Sequence, residues 1–358
     1  MKSRFLTTAT AIMLPLVPAV AQTAKAPFLP EWDSLKKHET PEWYHDAKFG
    51  IYAHWGGYCV PAFINEWYPR GIYIKDSAEY QHHLDTYGDP SKFGYKDFIP
   101  MFKAEKFDPE AWAALYARAG AKFAGPVAEH HDGFSMWASK VNRWNAKDMG
   151  PKRDVVGELL TAIRKQGLQT MVSFHHHYYM PGTMGPNGYY TLMEGADVAD
   201  PKYADLYQKR PLEQENKVWR DKILEVIDAY QPDLIWMEML VDKEPEAFRR
   251  EVLAHYFNRA AERNQQVVFT HKGDFGPLPV LDIERGRKEA ASPEIWQTDD
   301  SISDGTWCYV ENLRMKPAGQ LIHELIDIVS KNGVLLLNVC PMADGSFPDD
   351  QKQLLTAG

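Results

Sequence analysis

The sequence lacks the features that identify several common functional classes. Its 358 residues contain no run of lysine and arginine and carry a net charge of −9, which argues against a nucleic-acid partner. The three cysteines include no CxxC pair, so no zinc finger or dithiol redox site is predicted, and all three are expected to be buried. There is no HExxH motif of a zinc peptidase and no glycine-rich turn of a dinucleotide-binding domain.

Aromatic residues, by contrast, are abundant. The chain contains 11 Trp and 18 Tyr, more than a core of this size needs, and such residues often line carbohydrate or ligand clefts. The hydrophobic content of 44% and the charged content of 25% are ordinary for a soluble globular protein. The length fits one large domain or two modest ones.

The amino terminus has the pattern of a secretory signal peptide. Two early basic residues precede a mostly apolar stretch over residues 5–20, and an AVA motif that ends at Ala21 fits the small-residue cleavage rule. Prolines interrupt this stretch and no stop-transfer segment follows closely, so a stable membrane anchor is not expected. We therefore predict a signal peptide at residues 1–21, a mature domain at residues 22–358, and a periplasmic or secreted location.

Apolar runs with the character of strands recur along the chain, and helical patterns lie between most of them. The alternation predicts a parallel sheet with helices outside it. A somewhat irregular, TIM-like (β/α)8 barrel is favoured over an open doubly wound sheet, because no phosphate-binding turn follows the first strand. Long irregular stretches at residues 61–98 and 180–213 are predicted to form pocket walls. The predicted strands are residues 49–54, 123–130, 168–175, 234–238, 267–271 and 334–339, and the helices are residues 108–119, 155–166, 215–230, 245–263 and 320–331.

The segment EHHDGFSMW, residues 129–137, is the most informative feature of the chain. It follows an apolar run that is predicted to be a buried strand, so imidazoles, carboxylates and aromatic rings gather at a strand end. Barrels of this kind carry their chemistry at the carboxyl ends of the strands. Hydrogen-bonding groups beside flat hydrophobic rings suit a pocket for a polyhydroxylated ring.

Two acidic residues are candidates for glycoside cleavage. Glu238 ends an almost wholly apolar run, where a lone carboxylate is costly to bury unless it is paired or hydrogen-bonded. Glu284 offers a second carboxylate further along the chain. Glycoside cleavage requires one ionised carboxylate to attack or stabilise the oxocarbenium centre, and one protonated carboxyl group to release the leaving group.

The histidines leave a metal-dependent hydrolase open as an alternative. His54, the pair after the second strand and the triplet at residues 175–177 have metal-binding side chains. Zinc hydrolases with this fold usually carry two histidines separated by one residue after the first strand, whereas here His54 is followed by Trp55. We therefore predict no metal and no other cofactor, and His177 is expected to be structural.

Eight motifs in order along the chain resemble those of the α-L-fucosidases of glycoside hydrolase family 29. The resemblance covers nearly the whole mature chain, from about residue 41 to the end. The motifs are KFGIYAHWG (48–56), NEWY (65–68), FDPEAW (107–112), EHHDGFSMW (129–137), GPKRD (150–154), DLIW (233–236), WQTD (296–299) and SKNGVLLLN (330–338).

The resemblance implies a retaining, exo-acting hydrolase that releases α-L-fucose from a fucosylated oligosaccharide or glycoconjugate. It also implies the roles of individual side chains. Glu238 falls at the nucleophile position, and Glu284 is the preferred acid/base with Glu294 in reserve. The residues implied to bind fucose are His54, Glu66, Trp67, His130 and His131, with Trp296 as a further wall.

The chain departs from the family pattern at two places in the same pocket. Glu238 stands where the family has Asp, and its extra methylene alters the spacing of the two carboxyl groups. His175, expected to contact substrate, lies in a segment that replaces a Tyr-Tyr-Ser pattern. Three outcomes remain open: a working Glu nucleophile, a hydrolase of altered specificity, or a fucose-binding pseudoenzyme. The family's C-terminal β-sandwich does not follow before Gly358, so the chain is either a single-domain form or lacks the remainder.

Overall fold

Seven parallel strands form one sheet in the computed structural model, which describes residues 27–357. The strands are β1 (Phe49–Ala53), β2 (Phe123–Glu129), β3 (Gln169–Phe174), β4 (Leu234–Met237), β5 (Val268–His271), β6 (Trp296–Ser301) and β7 (Gly333–Val339). The strand order is β5-β4-β3-β2-β1-β7-β6, and every neighbouring pair is parallel. The predicted signal peptide lies outside the described residues.

A short segment at residues 281–282 closes the sheet between β5 and β6. Leu281 bridges to His271 at the end of β5, and Asp282 bridges to Gln297 in β6, both in the parallel sense. The Asp282 amide donates to the His271 carbonyl over 2.8 Å, and the Gln297 amide donates to the Leu281 carbonyl over 2.8 Å. This segment takes the place of an eighth strand, so the chain forms the irregular TIM-like barrel that the sequence predicts.

Helices connect most of the strands along the outside of the barrel. Asp108 caps the helix Pro109–Arg118 by accepting a hydrogen bond from the Ala111 amide, and Pro109 occupies the first turn, as its missing N–H permits. None of the helices in residues 27–357 is long and apolar enough to cross a membrane. The helices are α1 (Trp32–Leu35), α2 (Glu42–Ala47), α3 (Tyr68–Gly71), α4 (Ala78–Thr86), α5 (Tyr95–Phe98), α6 (Pro109–Arg118), α7 (Val155–Lys165), α8 (Leu212–Tyr230), α9 (Glu246–Glu262), α10 (Ala318–Ser330) and α11 (Asp349–Leu355).

The sequence did not identify β6 as a strand. Its residues are WQTDDS, a polar sequence that resembles a loop, yet all six are buried. The side-chain amide of Gln297 donates to Asp282 Oδ2 over 2.6 Å, and the Thr298 hydroxyl donates to the Ile283 carbonyl over 2.7 Å. Polar side chains can be buried when hydrogen bonds replace those lost to water, and these partners come from distant parts of the chain.

The core has two layers, one inside the barrel and one between the sheet and the helices. Tyr52, Val127, Met171, Trp236 and Leu336 belong to the inner layer. Neighbours along the strands such as Ile51, Val172, Ile235 and Leu337 belong to the outer layer, because successive side chains of a strand point to opposite faces. This alternation decides which residues beyond the strand ends face the barrel mouth.

Candidate active site

Strand alternation carries several polar side chains into the mouth of the barrel. His54 lies two residues after the inward-facing Tyr52, and Glu238 lies two residues after the inward-facing Trp236. Residues two apart on a strand share a face, so both side chains point toward the barrel axis. The same alternation applies to His175 after β3 and to Lys272 after β5.

A β-bulge in β2 changes which residue of the EHHDGFSMW segment faces the mouth. Val127 pairs with Ser173 and Glu129 pairs with Phe174, so β2 carries one extra residue at Ala128. An extra residue reverses the side-chain alternation beyond it. Glu129 therefore points outward to the helices, and His130 takes the inward position.

The converging side chains surround a cavity of about 280 Å³. A larger depression of about 480 Å³ between α6 and α11 contains no acidic or imidazole side chain in its lining, so the chemistry belongs to the barrel mouth. The long loops predicted as walls contribute Trp67 and Met184. The lining residues are His54, Glu66, Trp67, His130, His131, His175, Tyr178, Met184, Glu238, Met239, Leu240, Glu284, Asp299 and Trp307.

The imidazoles that line the cavity are neutral near pH 7. Burial lowers the pKa of His54 to about 4, and it lowers the pKa values of His130, His131 and His175 well below the ordinary value. The Nδ1 of His131 donates to the His175 carbonyl over 2.6 Å, and its ring stacks on Tyr178 with centroids 4.0 Å apart. Neutral imidazoles can both donate to and accept from sugar hydroxyls.

Lys272 joins the two predicted catalytic carboxylates. Its Nζ lies 3.5 Å from Glu238 Oε1 and 2.7 Å from Glu284 Oε2, so these two oxygens are at most 6.2 Å apart. Burial alone would lower the pKa of Lys272, but the surrounding carboxylates, led by Asp299, raise it well above the ordinary value. The side chain is therefore an ammonium ion between carboxylates.

Glu238 is buried and lies at the end of β4. Its Oε1 accepts a 2.7 Å hydrogen bond from the Met239 amide, so the longer side chain turns back onto its own backbone. Its Oε2 lies 3.8 Å from Nδ1 of His175. Burial raises the pKa of Glu238 to about 7, although the Lys272 ammonium opposes this shift.

Asp299 is a site residue to which the sequence assigned no role. It follows Gln297 on the inward face of β6, and its Oδ1 lies 3.2 Å from Nζ of Lys272. Burial would raise the pKa of Asp299, but Lys272 and hydrogen bonds hold it below the ordinary value. Its position in the WQTD motif was visible, but its inward orientation follows only once β6 is known to be a strand.

Glu66, the acidic residue that is predicted to bind fucose, is buried in the wall of the cavity. It accepts hydrogen bonds from the Thr306 hydroxyl over 3.2 Å and from the Trp307 amide over 3.0 Å. Burial raises the pKa of Glu66 above its ordinary value. These bonds fix the NEWY segment against the loop that follows β6.

Trp296, expected as a wall of the pocket, does not line the cavity. It begins β6 at the opposite end of the barrel, and its Nε1 donates to the Lys331 carbonyl over 2.9 Å. Trp307, in the loop after β6, lines the cavity instead, with its ring 5.5 Å from that of His54. Glu294, the reserve acid/base, is exposed just before β6 and is also absent from the lining.

A buried charge network lies behind the histidines. Glu129, turned outward by the bulge, accepts from Nζ of Lys222 on α8 over 2.7 Å and also contacts His176. Burial would raise the pKa of Glu129, but Lys222 and His176 lower it to about 2. This ion pair connects the ends of β2 and β3 to α8, and thereby supports the backbone that carries His130 and His175.

Replacing Lys222 with Met should destabilise the fold by about 3–5 kcal/mol at pH 7, because the buried Glu129 would lose the ammonium that pairs with it. The stabilisation from ionised Glu129 is present above its ordinary pKa of 4.5 and is lost as the pH falls toward 2. Urea unfolding measures the change. Lys217→Met on the same helix removes the exposed pair with Glu213 and should leave the stability almost unchanged, because water screens that pair. Equal losses in both variants would contradict a special role for the buried pair.

Comparison with known proteins places this geometry among fucosidases. The family model described as alpha-L-fucosidase matches residues 16–357. The chain is 32% identical to the tissue alpha-L-fucosidase of Rattus norvegicus over 347 residues, which cover 92% of this chain and 70% of that protein. It is also 32% identical to the tissue alpha-L-fucosidase of Homo sapiens, with coverage of 92% and 69%. The crystal structure of Thermotoga maritima alpha-fucosidase in complex with fucose superposes with a TM-score of 0.76 at 31% identity, covering 92% of this chain and 75% of that one.

Proposed function

The chain belongs to the α-L-fucosidase family of glycoside hydrolases, and we propose that it releases terminal α-L-fucose from fucosylated glycans by a retaining mechanism. Glu238 is the proposed nucleophile and Glu284 the proposed acid/base. The observation that carries the proposal is the position of both carboxylates on one ammonium, with oxygens at most 6.2 Å apart. Retaining enzymes have carboxyl groups about 5–5.5 Å apart, a separation with which this bound is compatible.

The reaction then proceeds in two displacements. In the first, Glu238 Oε2 attacks the anomeric carbon while Glu284 gives its proton to the departing glycosidic oxygen. In the second, Glu284 takes a proton from water, and the resulting hydroxide displaces Glu238 and releases fucose with its original configuration. Oε1 of Glu238 meanwhile keeps its bond to the Met239 amide, which holds the carboxylate in place.

The extra methylene of Glu238 is compatible with this role. A fully extended side chain would carry the carboxylate further into the cavity than an Asp would. Because Oε1 bonds the next backbone amide, the side chain is folded back and its carboxylate stays near the strand end. Lys272, 3.5 Å away, supplies the charge that favours the ionised form.

The direct test is hydrolysis of an aryl α-L-fucoside and of natural fucosyl oligosaccharides. We expect turnover of the aryl α-L-fucoside and none of the corresponding aryl β-L-fucoside. Nuclear magnetic resonance of the first-formed sugar should show the α anomer. Fucose binding without turnover on any of these substrates would contradict the enzymatic proposal and leave a sugar-binding protein.

The pH profile should have an acid limb near pH 7. Glu238 must be ionised to attack, and its pKa is about 7, so kcat/KM should rise as the pH increases through 7. Lys272→Met should move this limb toward alkaline pH by about one unit or more, because the ammonium lowers the pKa of Glu238. An aryl fucoside with an activated leaving group isolates the nucleophile, since it needs little proton donation.

The matched control is Lys288→Met, which removes an ammonium that lies over Trp296, outside the cavity lining. It should leave the acid limb where it is in the wild type. If the acid limb of Lys272→Met lies at the same pH as in the wild type, Lys272 does not lower the pKa of Glu238.

A further inference from the structure

Three imidazoles from neighbouring strand ends converge at the base of the cavity. The ring centroids of His54, His130 and His175 are 5.0–5.4 Å apart in each pair. One ring nitrogen from each lies within 4.8 Å of those from the other two, and all three residues are buried. Zn–N bonds of about 2.0–2.1 Å in tetrahedral geometry place such nitrogens roughly 3.4 Å apart, so small ring rotations suffice to bind one ion.

His54 is oriented as a metal-binding imidazole usually is. Asn338 Oδ1 accepts from the His54 amide over 2.9 Å, while its Nδ2 donates to the Trp307 carbonyl over 2.6 Å. These two bonds show that the Asn338 side chain turns its oxygen toward His54. Nδ1 of His54 must therefore donate to Oδ1 of Asn338, at 2.8 Å. The Nε2 atom therefore keeps its lone pair, and a carbonyl oxygen that accepts from the other ring nitrogen commonly supports a metal-binding histidine.

His130 provides the second observation. Its Nδ1 has no access to solvent and no hydrogen-bond partner among residues 27–357. An unpaired buried polar atom destabilises the fold, so a ligand that engages Nδ1 would relieve a penalty. A cation bound by Nδ1 between the three rings would give this atom the partner that it lacks.

The charge around the cavity favours a cation. Its lining includes Glu66, Glu238, Glu284 and Asp299 but no lysine or arginine, and the single Lys272 ammonium pairs with three of these four carboxylates. The third imidazole, His175, belongs to the segment in which this chain departs from the fucosidase pattern. Its Nδ1 lies 3.8 Å from Glu238 Oε2, so a carboxylate stands beside the cluster.

We propose that His54, His130 and His175 bind one divalent transition-metal ion, with a coordination position open to the cavity. Three imidazole nitrogens favour Zn²⁺ or Co²⁺ and exclude Mg²⁺ and Ca²⁺, which require oxygen ligands. The same imidazoles would bind the sugar hydroxyls, so the ion and the substrate exclude one another. This second step rests on the proposed fucosidase function, and it makes the ion a competitive inhibitor.

Binding is tested without turnover. The full chain, carrying no histidine tag and freed of metal with a chelator, is titrated with Co²⁺ while the visible ligand-field absorption is recorded. We expect one Co²⁺ per chain with a four-coordinate spectrum, displacement by Zn²⁺, and no displacement by Mg²⁺. His175→Phe should weaken binding by more than the roughly 10–100-fold that the loss of a supporting hydrogen bond costs.

The control is His323→Gln, which changes an exposed histidine of α10 and should leave Co²⁺ binding intact. Should His175→Phe fail to fold, His130→Asn tests the same cluster. Co²⁺ affinity that is equal in the wild type and in a folded cluster variant overturns the proposal.

The metal site and the fucosidase activity can fail separately. A chain that binds Co²⁺ but cleaves no fucoside would contradict only the enzymatic function, and an active chain that does not bind Co²⁺ would contradict only the metal site. In an active chain that binds the ion, Zn²⁺ should raise KM for the aryl fucoside and leave kcat unchanged.

Discussion

Replacing Glu238 with Ala should reduce kcat/KM for an aryl α-L-fucoside by about 10³-fold or more. The proposed covalent intermediate forms on the Glu238 carboxylate, and alanine has no group that can form it. Steady-state kinetics measures the loss. Sodium azide should restore part of the turnover of the variant, since the small anion fits the space vacated by the side chain. The product should be β-L-fucosyl azide, because one displacement instead of two inverts the anomeric centre.

Folding of the Glu238 variants must be checked separately from their chemistry. Burial raises the pKa of this group to about 7, which means that the fold disfavours its ionised form. Glu238→Gln keeps the size of the side chain without the charge, so it should be at least as stable as the wild type at pH 8 while remaining inactive. Wild-type kinetics in either variant would remove Glu238 from the mechanism.

Replacing Glu284 with Ala should have an effect that depends on the leaving group. For natural fucosyl disaccharides, kcat/KM should fall by about 10²–10⁴-fold, because the departing alkoxide needs a proton. For an aryl fucoside with a strongly activated leaving group, formation of the fucosyl-enzyme should be much less affected. Azide should then yield α-L-fucosyl azide, since the covalent intermediate still forms and a second displacement restores the configuration. The opposite anomers from the two variants assign the two roles.

Glu294→Ala is the matched control for the acid/base. This residue is exposed before β6 and does not line the cavity, so its removal should leave all rates at the wild-type level. A loss confined to disaccharides in Glu294→Ala, with normal rates in Glu284→Ala, would reverse the assignment of the acid/base.

Much of the barrel was predictable because its signals are local. The six predicted strands agree with β1–β5 and β7 to within one residue at each end, since each is an apolar run bounded by turn or cap residues. The strand β6 and the closing segment at residues 281–282 escaped prediction for the opposite reason. Their polar side chains are buried only because partners such as Asp282 for Gln297 arrive from elsewhere in the chain.

The site divides in the same way. Most of the predicted residues meet at one cavity, because residues after parallel strands share an end of the barrel. Trp296 does not, because the WQTD motif begins a strand rather than following one. Trp307 and Asp299 line the cavity for the same reason: Trp307 follows β6, and Asp299 lies on the inward face of that strand.

The sequence by itself determined the alternation of strands and helices, the family, and the set of imidazoles and carboxylates available at the barrel mouth. Motifs and periodicity carry that information because they depend on neighbours along the chain. Only the tertiary structure decided that a bulge turns His130 inward and Glu129 outward, and that Lys272 joins Glu238 to Glu284. A register shift and a buried charge depend on which strands become neighbours, and that is a property of the closed barrel.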